Sequence, residues 1–438
     1  MNETYEVIPS AKRLIKSLRD IGYDFSTAVA DLIDNSIEAG ASKVDIDVAF
    51  YGNDSYVRIS DNGNGMKSEN LKEAMRYGSE RDYLEEDLGR FGLGLKTASM
   101  SQCQYFSVAS RSKENKQIAV FSWDLSHIER TNKWEILQPK EKDIPELLKT
   151  PISEHSGTVV LWEKLDRIIG FKNSEGEAAR NKVISMCREL ENYLSMVFHK
   201  FLSNEVLGKS LEIYLNRNKI QPWDPFGRHE SKTNILSPIK IKIIHNGAEN
   251  KIFLQPYILP TKEEFSSQDS FQKLSGISGW NPQQGFYIYR ANRMIQSGGW
   301  CGLRVIDEHT KLARIELNFS PALDDLFKIN VAKMKVQLPV QAREEIERVV
   351  KPIVSLARER YDHEKKNLFK PSAPKVTEIQ QTSPINKNIL IKNSSQDIKF
   401  DLFTLNEVEQ KVKEFATKYE SKTISDVFSR LRRRLFGR

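Results

Sequence analysis

The sequence is short of cysteine, of long apolar runs and of strong charge imbalance, and each shortage removes a class of protein. Three cysteines in 438 residues, Cys103, Cys187 and Cys301, stand far apart with no CxxC pair and no metal-ligand spacing. This disfavours a disulfide scaffold and a structural zinc, and three reduced thiols are expected. No apolar run approaches the roughly 20 residues a membrane helix needs. The opening MNETYEVIPSAKRLIKSL has no apolar signal-peptide core, so a cytoplasmic location without membrane contact is expected. A formal charge of +7, spread over the chain, permits an anionic partner without arguing for nucleic acid. The exception is SRLRRRLFGR, where Arg430, Arg432, Arg433, Arg434 and Arg438 concentrate charge; this run either contacts phosphates or is a solvated terminus.

What is present reads as two domains and a tail. Residues 10–40 carry two helices broken at IGYDF, the second with Val29, Leu32, Ile33 and Ile37 at helical spacing and a stop at Gly40. KVDIDVAF, YVRISDNG, QYFSVASRS, QIAVFSWDL and GTVVLWEKL read as strands. The class is α+β, a helix layer on an antiparallel or mixed sheet, and alternating strand and helix units of the doubly wound type are absent. We divide the chain into an N-terminal domain over 1–175, a connector helix over 176–205 and a strand-rich domain over 206–367. A flexible linker over 368–398 and a basic helical segment over 399–438 follow.

Three stretches carry chemistry. In ADLIDNSIEAG, Asp31, Asn35 and Glu38 fall on one helix face. A carboxylate there can deprotonate a water and an amide oxygen can ligate a hard cation; a solvated amphipathic face is the plain alternative. In ISDNGNGM, Asp61 closes a strand before alternating glycines, so it can accept from an exocyclic amine while a flat ring approaches the backbone; alone this is equally a tight turn. In GRFGLGLKTAS, Gly89, Gly92 and Gly94 lead with Lys96 into a helix, an anion site of backbone N–H groups plus a point charge, or simply a glycine-rich turn. It is neither a P-loop nor a clean GxGxxG.

In this order and at these spacings, Phe25 to Ser101 resembles the ATP site of the GHKL (Bergerat-fold) superfamily of gyrase B, ninety-kilodalton heat-shock chaperones, histidine kinases and MutL. The wording DLIDNSIEAGAS, DNGNGM, AMRYGS and LGRFGLGLKTAS is most similar to MORC-like and MutL-like prokaryotic ATPases. The resemblance implies ATP and Mg2+ as cofactors. It makes Asn35 the magnesium ligand and Asp61 the adenine acceptor, with Gly63, Gly65 and Met66 walling the base. Residues 67–88 become an ATP lid, Gly89, Gly92, Leu93, Gly94, Leu95 and Lys96 the phosphate loop, and Gly157 with Thr158 a late element near the adenine. Members that hydrolyse ATP carry Glu four residues before the Asn, where this chain has Asp31. The base is withdrawn by about one methylene, so hydrolysis is expected to be slow.

The second domain resembles the transducer region of gyrase B and MutL, which delivers a lysine to the γ-phosphate; in FKINVAKMKVQLP the resemblance places it at Lys333 rather than Lys335, with a plain surface lysine as the alternative. In GFYIYRANRMIQSGGW, Arg290, Arg293 and Trp300 either touch nucleic acid or sit in the core, and core is preferred. The resemblance implies an ATPase that homodimerises on ATP binding, a clamp or switch on double-stranded DNA, with protein partners from the same operon and a restriction-like or antiviral defence setting. A chaperone or protein-remodelling ATPase is the alternative. A histidine-type kinase is disfavoured, since no histidine precedes His127 and His363 lies on a downstream helix.

Overall fold

The computed structural model describes residues 4–5, 7–20, 23–78, 94–170, 173–276, 278–329, 333 and 336–368, with side chains of the last helix up to residue 363. The expectations for Gly89, Gly92, Leu93, Lys335, the linker and the basic C-terminal segment lie outside the described residues, as does most of the second half of the expected lid.

The first region runs α1 (Ala11–Arg19), α2 (Phe25–Glu38), β1 (Lys43–Ala49), β2 (Tyr56–Asp61), α3 (Ser68–Ala74), α4 (Gly94–Gln102), β3 (Tyr105–Arg111), β4 (Ile118–Asp124), α5 (Leu125–Thr131), α6 (Glu146–Lys149), β5 (Gly157–Glu163), α7 (Glu177–Val197) and α8 (His199–Leu202). Two short strands, β6 (Glu212–Leu215) and β7 (Asn218–Lys219), complete a seven-stranded sheet ordered β4-β3-β5-β2-β1-β6-β7. All pairs are antiparallel except β1 with β6, so the sheet is mixed. Here the structure corrects one reading. LEIYLNRNKI, assigned from its sequence position to the second region, adds its strands to the first sheet, because Ile213 and Leu215 find their apolar neighbours beside Val44 and Ile46. Strand alternation alone cannot say which sheet a strand joins.

Alternation does decide the faces. Val44, Ile46, Val57, Ile59, Phe106, Val108 and Trp162 point to the helix layer, while Ala109, Val120, Val159 and Leu161 pack on Leu148 and Ile152 behind. Helix α2 starts at Asp24, whose side chain accepts from the Thr27 N–H at 2.8 Å. It ends before Gly40, whose φ of +70° suits a glycine. Between these points Ala28, Val29, Leu32, Ile33 and Ile37 are all buried. At about 1.5–3 kcal/mol per large apolar side chain, this burial seats the helix so deeply that Asp31 and Asp34 go below the surface with it. The solvated-face alternative is thereby ruled out for Asp31, while Asn35 stays exposed and Glu38 half-buried. Arg19 ties α1 to the next layer, its Nε donating to the Met100 carbonyl at 2.7 Å and its Nη2 to Asp166 at 2.6 Å.

The second sheet is six-stranded: β8 (Asn234–Ile235), β9 (Ile239–His245), β10 (Ala248–Ile258), β11 (Gly285–Arg290), β12 (Arg293–Ser297) and β13 (Ala313–Phe319), ordered β12-β11-β13-β10-β8 with β9 also on β10. α9 (Gln268–Leu274) and α10 (Asp324–Phe327) lie in its connections, and α11 (Val340–Leu368) covers it through Ile346, Val350, Ile353, Val354 and Ala357. The β11–β12 turn is Ala291-Asn292, with φ of +47° and +68°. Both central residues in the left-handed region give a tight hairpin, and the next residue, Arg293, is thrown back across the sheet edge toward the first region. α7 packs on both α2 and β12 and so bridges the two regions. The cysteines are free thiols, and no helix among the described residues is long and apolar enough to cross a membrane.

Candidate functional site

Two clusters flank α2, one at each side of Asn35. The first is built on the end of β2. Register places Asp61 opposite Val44 on one side and Thr158 on the other. Its Oδ1 accepts from the Gly63 N–H at 2.9 Å and the Thr158 N–H at 3.3 Å, and its Oδ2 from the Ser36 hydroxyl at 2.9 Å. Burial pushes the carboxyl pKa up, and these hydrogen bonds to the ionised form oppose the shift. A second ring of contacts holds the frame: the Ser110 hydroxyl meets Thr158 Oγ1 at 2.9 Å and donates to the Gly157 carbonyl at 3.0 Å, while the Met66 N–H donates to Ser110 at 2.8 Å.

The glycines here are backbone necessities. Gly65 has φ of +64°, and a Cβ on it would overlap the Arg111 carbonyl oxygen. A Cβ on Gly157 would overlap the Asp61 carbonyl oxygen, and one on Gly63 would press on Ala39 and Asp61 Oδ1 at 2.9–3.0 Å. These three glycines let the turn after β2, the end of β3 and the start of β5 pack backbone to backbone around the Asp61 carboxylate, which can accept from an amine donor.

The second cluster faces the start of α4. A Cβ built on Gly94 would lie 3.6 Å from Asp31 Oδ2, so the start of α4 abuts Asp31. Leu95 packs on the core, and Lys96 is buried with Nζ donating to the Ala74 carbonyl at 3.0 Å. Burial pushes the Lys96 pKa down to about 8, partly offset by Glu73. Asn35, by contrast, is exposed, one helical turn beyond Asp31. A single amide oxygen at an open edge suits magnesium, which keeps several waters and takes phosphate oxygens.

Asp31 is 3% exposed, and its two oxygens are engaged differently. Oδ2 accepts from the Tyr23 hydroxyl at 2.7 Å; Oδ1 accepts from Lys333 Nζ at 3.3 Å, across 302 residues of sequence. Lys333 Nζ also donates to Asp34 Oδ2 at 2.6 Å, and Arg293 Nε donates to Asp34 Oδ1 at 2.9 Å. Two carboxylates and two cations thus neutralise one another below the surface, as buried charges must. Burial lowers the Lys333 pKa, but Asp31 and Asp34 outweigh it and the net shift is upward. Tyr23 is held protonated by burial first and by the Asp31 charge second. Lys333 itself has φ of +50°, a conformation rare for a residue with a side chain and one that tertiary contacts must hold.

Arg290, Arg293 and Trp300 are all buried, Arg290 on Asp324 and Trp300 on Gln284, in agreement with the preferred core reading and against the nucleic-acid alternative. Residues 67–88, expected as lid, begin with helix α3 over Ser68–Ala74. Sequence reasoning missed Tyr23, Asp34, Ser36 and Ser110, and it singled out Arg293 without linking it to this cluster. Only Asp34 left a signal, being three residues from Asp31 and so on its side of the helix.

A family model described as histidine kinase-, DNA gyrase B-, and HSP90-like ATPase matches residues 23–158, the segment holding every side chain of both clusters except Lys333 and Arg293. The chain is also similar to the DNA mismatch repair protein MutL of Klebsiella pneumoniae subsp. pneumoniae, 32% identical over 97 residues, covering 21% of this chain and 16% of the relative. MutL of Mannheimia succiniciproducens is 34% identical over 97 residues, covering 21% and 15%; MutL of Salmonella heidelberg is 34% identical over the same length, covering 21% and 16%. The chain therefore spans a small part of these relatives. By the family-model match, residues 23–158 are an ATP-binding domain of the GHKL ATPase family.

Proposed function

We propose that the chain binds Mg·ATP between the Asp61 pocket and the start of α4, hydrolyses it slowly, and uses the cycle as an ATP-gated dimerising clamp or switch on DNA. The observation that carries this reading is the contact of Lys333 with Asp31: a cation from the second region meets the carboxylate expected to activate water. Asp61 and the Thr158 segment bind adenine, and Lys96 with the α4 N–H groups takes the phosphates. Asn35 would hold magnesium through its amide oxygen, where the ion supplies charge neutralisation for the phosphates. Lys333 then turns from the carboxylates to the γ-phosphate. Asp31 accepts a proton from water as the water oxygen bonds to the γ-phosphorus, the bond to the bridging oxygen breaks, and ADP and phosphate result.

One feature makes the step slow: the short Asp31 side chain, which withdraws the base by about one methylene. Because Lys333 bonds α2 in one state and nucleotide in the other, the second region feels which nucleotide is bound, and a switch needs no more than that difference. The name of the relatives, DNA mismatch repair protein, supports DNA as the client. The setting in a restriction-like or anti-phage system, with partners from the same operon, rests on the MORC-like resemblance alone. Light scattering of the full chain with and without a non-hydrolysable ATP analogue, paired with ATPase rates with and without double-stranded DNA, tests the reading. A doubled mass and a DNA-dependent rate are expected; an unchanged mass removes the dimer switch, and an unchanged rate removes the DNA client.

A further inference from the structure

The four-charge cluster holds one donor that nothing in it uses. Arg293 is fully buried; its Nε bonds Asp34, its Nη1 donates to the Met294 carbonyl at 3.3 Å, and its plane lies 5.8 Å from the Phe198 ring. Its Nη2 has no hydrogen-bond partner among the described residues, and it stops 4.0 Å from Asp31 Oδ1. That is the oxygen on which Lys333 sits. A buried guanidinium N–H left unpaired is costly, and charge-assisted bonds of this kind are among the stronger ones. A partner an ångström too far, already occupied by another cation, is a bond waiting for that cation to leave.

The two cations are held unequally. The Arg293 side chain is 1% exposed, on a strand fixed by a tight hairpin and anchored by Asp34; the Lys333 side chain is 10% exposed. We propose that Arg293 is a positioning residue that replaces Lys333 on Asp31: when Lys333 turns to the γ-phosphate, Nη2 closes the 4.0 Å gap to Oδ1 and keeps the carboxylate ionised and oriented. This rests on the reading that Lys333 moves to the nucleotide. The charge arithmetic requires some such substitute. With Lys333 gone, Asp31 and Asp34 keep only the Arg293 guanidinium, which already bonds Asp34, and Nη2 is the N–H on it within reach of Asp31 Oδ1. A carboxylate oxygen accepts two hydrogen bonds, so the Arg293 contact leaves room for the water.

The consequence is measurable without turnover. Titration calorimetry of the full chain in two buffers of different ionisation enthalpy counts the protons exchanged when the non-hydrolysable ATP analogue binds. Relative to wild type, Arg293→Met takes up roughly one further proton near neutral pH with the analogue. No such excess accompanies ADP, which has no γ-phosphate to draw Lys333 away. The double variant Asp34→Asn/Arg293→Met, with one carboxylate fewer, loses the excess. In turnover, Arg293→Met shifts the acid limb of kcat upward by about one pH unit while that of kcat/KM moves less, since Lys333 still guards the free chain. A packing defect alone would lower kcat without moving either limb.

Arg293→Lys carries the test where the methionine variant does not fold: charge is kept and the planar fork lost, so proton uptake stays at the wild-type value and kcat falls about tenfold. Wild-type proton uptake in Arg293→Met, or wild-type kcat in Arg293→Lys, overturns the proposal. Failure of the underlying reading looks different. If Lys333→Met leaves the preference for the analogue over ADP unchanged, Lys333 never meets the γ-phosphate; if that preference collapses and Arg293→Met shows no excess uptake, only the replacement by Arg293 is wrong.

Discussion

The two ends of the site are built in opposite ways. At the Asp61 end every contact joins residues of the first sheet and its covering helix, most bonds run to backbone, and the glycines leave no room for change. At the Asp31 end the contacts are between charges, they join segments about 260–300 residues apart, and one donor is left over. The first end is rigid because hydrogen bonds to fixed backbone groups and close backbone contacts have one good arrangement. The second can change hands, because two cations compete for two carboxylates. On the proposed function, recognition and switching are separated along a single helix, α2, which carries Ser36 to one end and Asp31 and Asp34 to the other.

Variants can break this contrast. The largest effect is expected from Asp34→Ala, which leaves Lys333 and Arg293 with one carboxylate between them. A loss of about 3–5 kcal/mol in urea unfolding at neutral pH is expected, as for other broken buried pairs, and a loss under 1 kcal/mol would mean water reaches the cluster. Next is Gly65→Ala, where a left-handed φ and the Arg111 carbonyl both exclude a Cβ. It should cost about 1–3 kcal/mol from the backbone alone and abolish ATP binding in a titration, with γ-phosphate contacts unable to compensate. Ser36→Ala removes one hydrogen bond to Asp61, so ATP affinity should fall by a few fold, about 1 kcal/mol, with kcat little changed if the ends are separate.

The smallest effects are in pH. Burial of Asp61 raises its pKa above the ordinary range, and an adenine amine needs the ionised acceptor. Affinity should therefore decline, as pH is lowered, sooner than an exposed carboxylate would allow, and sooner still in Ser36→Ala. The Lys96 pKa near 8 gives the opposite limb: the ammonium is charged below about 8 and neutral above, so ATP affinity should weaken as pH rises through that value. Isothermal titration between pH 5 and 9 reads both, and an affinity flat above pH 8 would take Lys96 out of phosphate binding.

Legibility in the sequence follows the same division. Helix α2, strands β1 to β5 and the Asp61 turn could be read because period, capping and glycine placement are local properties. Asp61 and Gly65 owe their roles to neighbours within one sheet, and those roles travel with the motif. Asp34 and Arg293 could not be read, since each is an ordinary charged residue until the hairpin at Ala291-Asn292 carries the arginine beneath α2. Strand β6 was misplaced for the same reason: its alternation fits either sheet, and only the parallel pairing with β1 decides. Lys333 was legible through resemblance, while its present partners, two carboxylates, were not.

The most direct test of the account is the turnover and ATP affinity of Asp31→Asn measured side by side. The amide keeps the shape and can still accept from Tyr23, yet it cannot take a proton from water. ATP binding within a few fold of wild type and turnover reduced by about 100-fold or more are expected. Turnover equal to wild type would contradict this and remove Asp31, with the cation exchange built around it, from the chemistry.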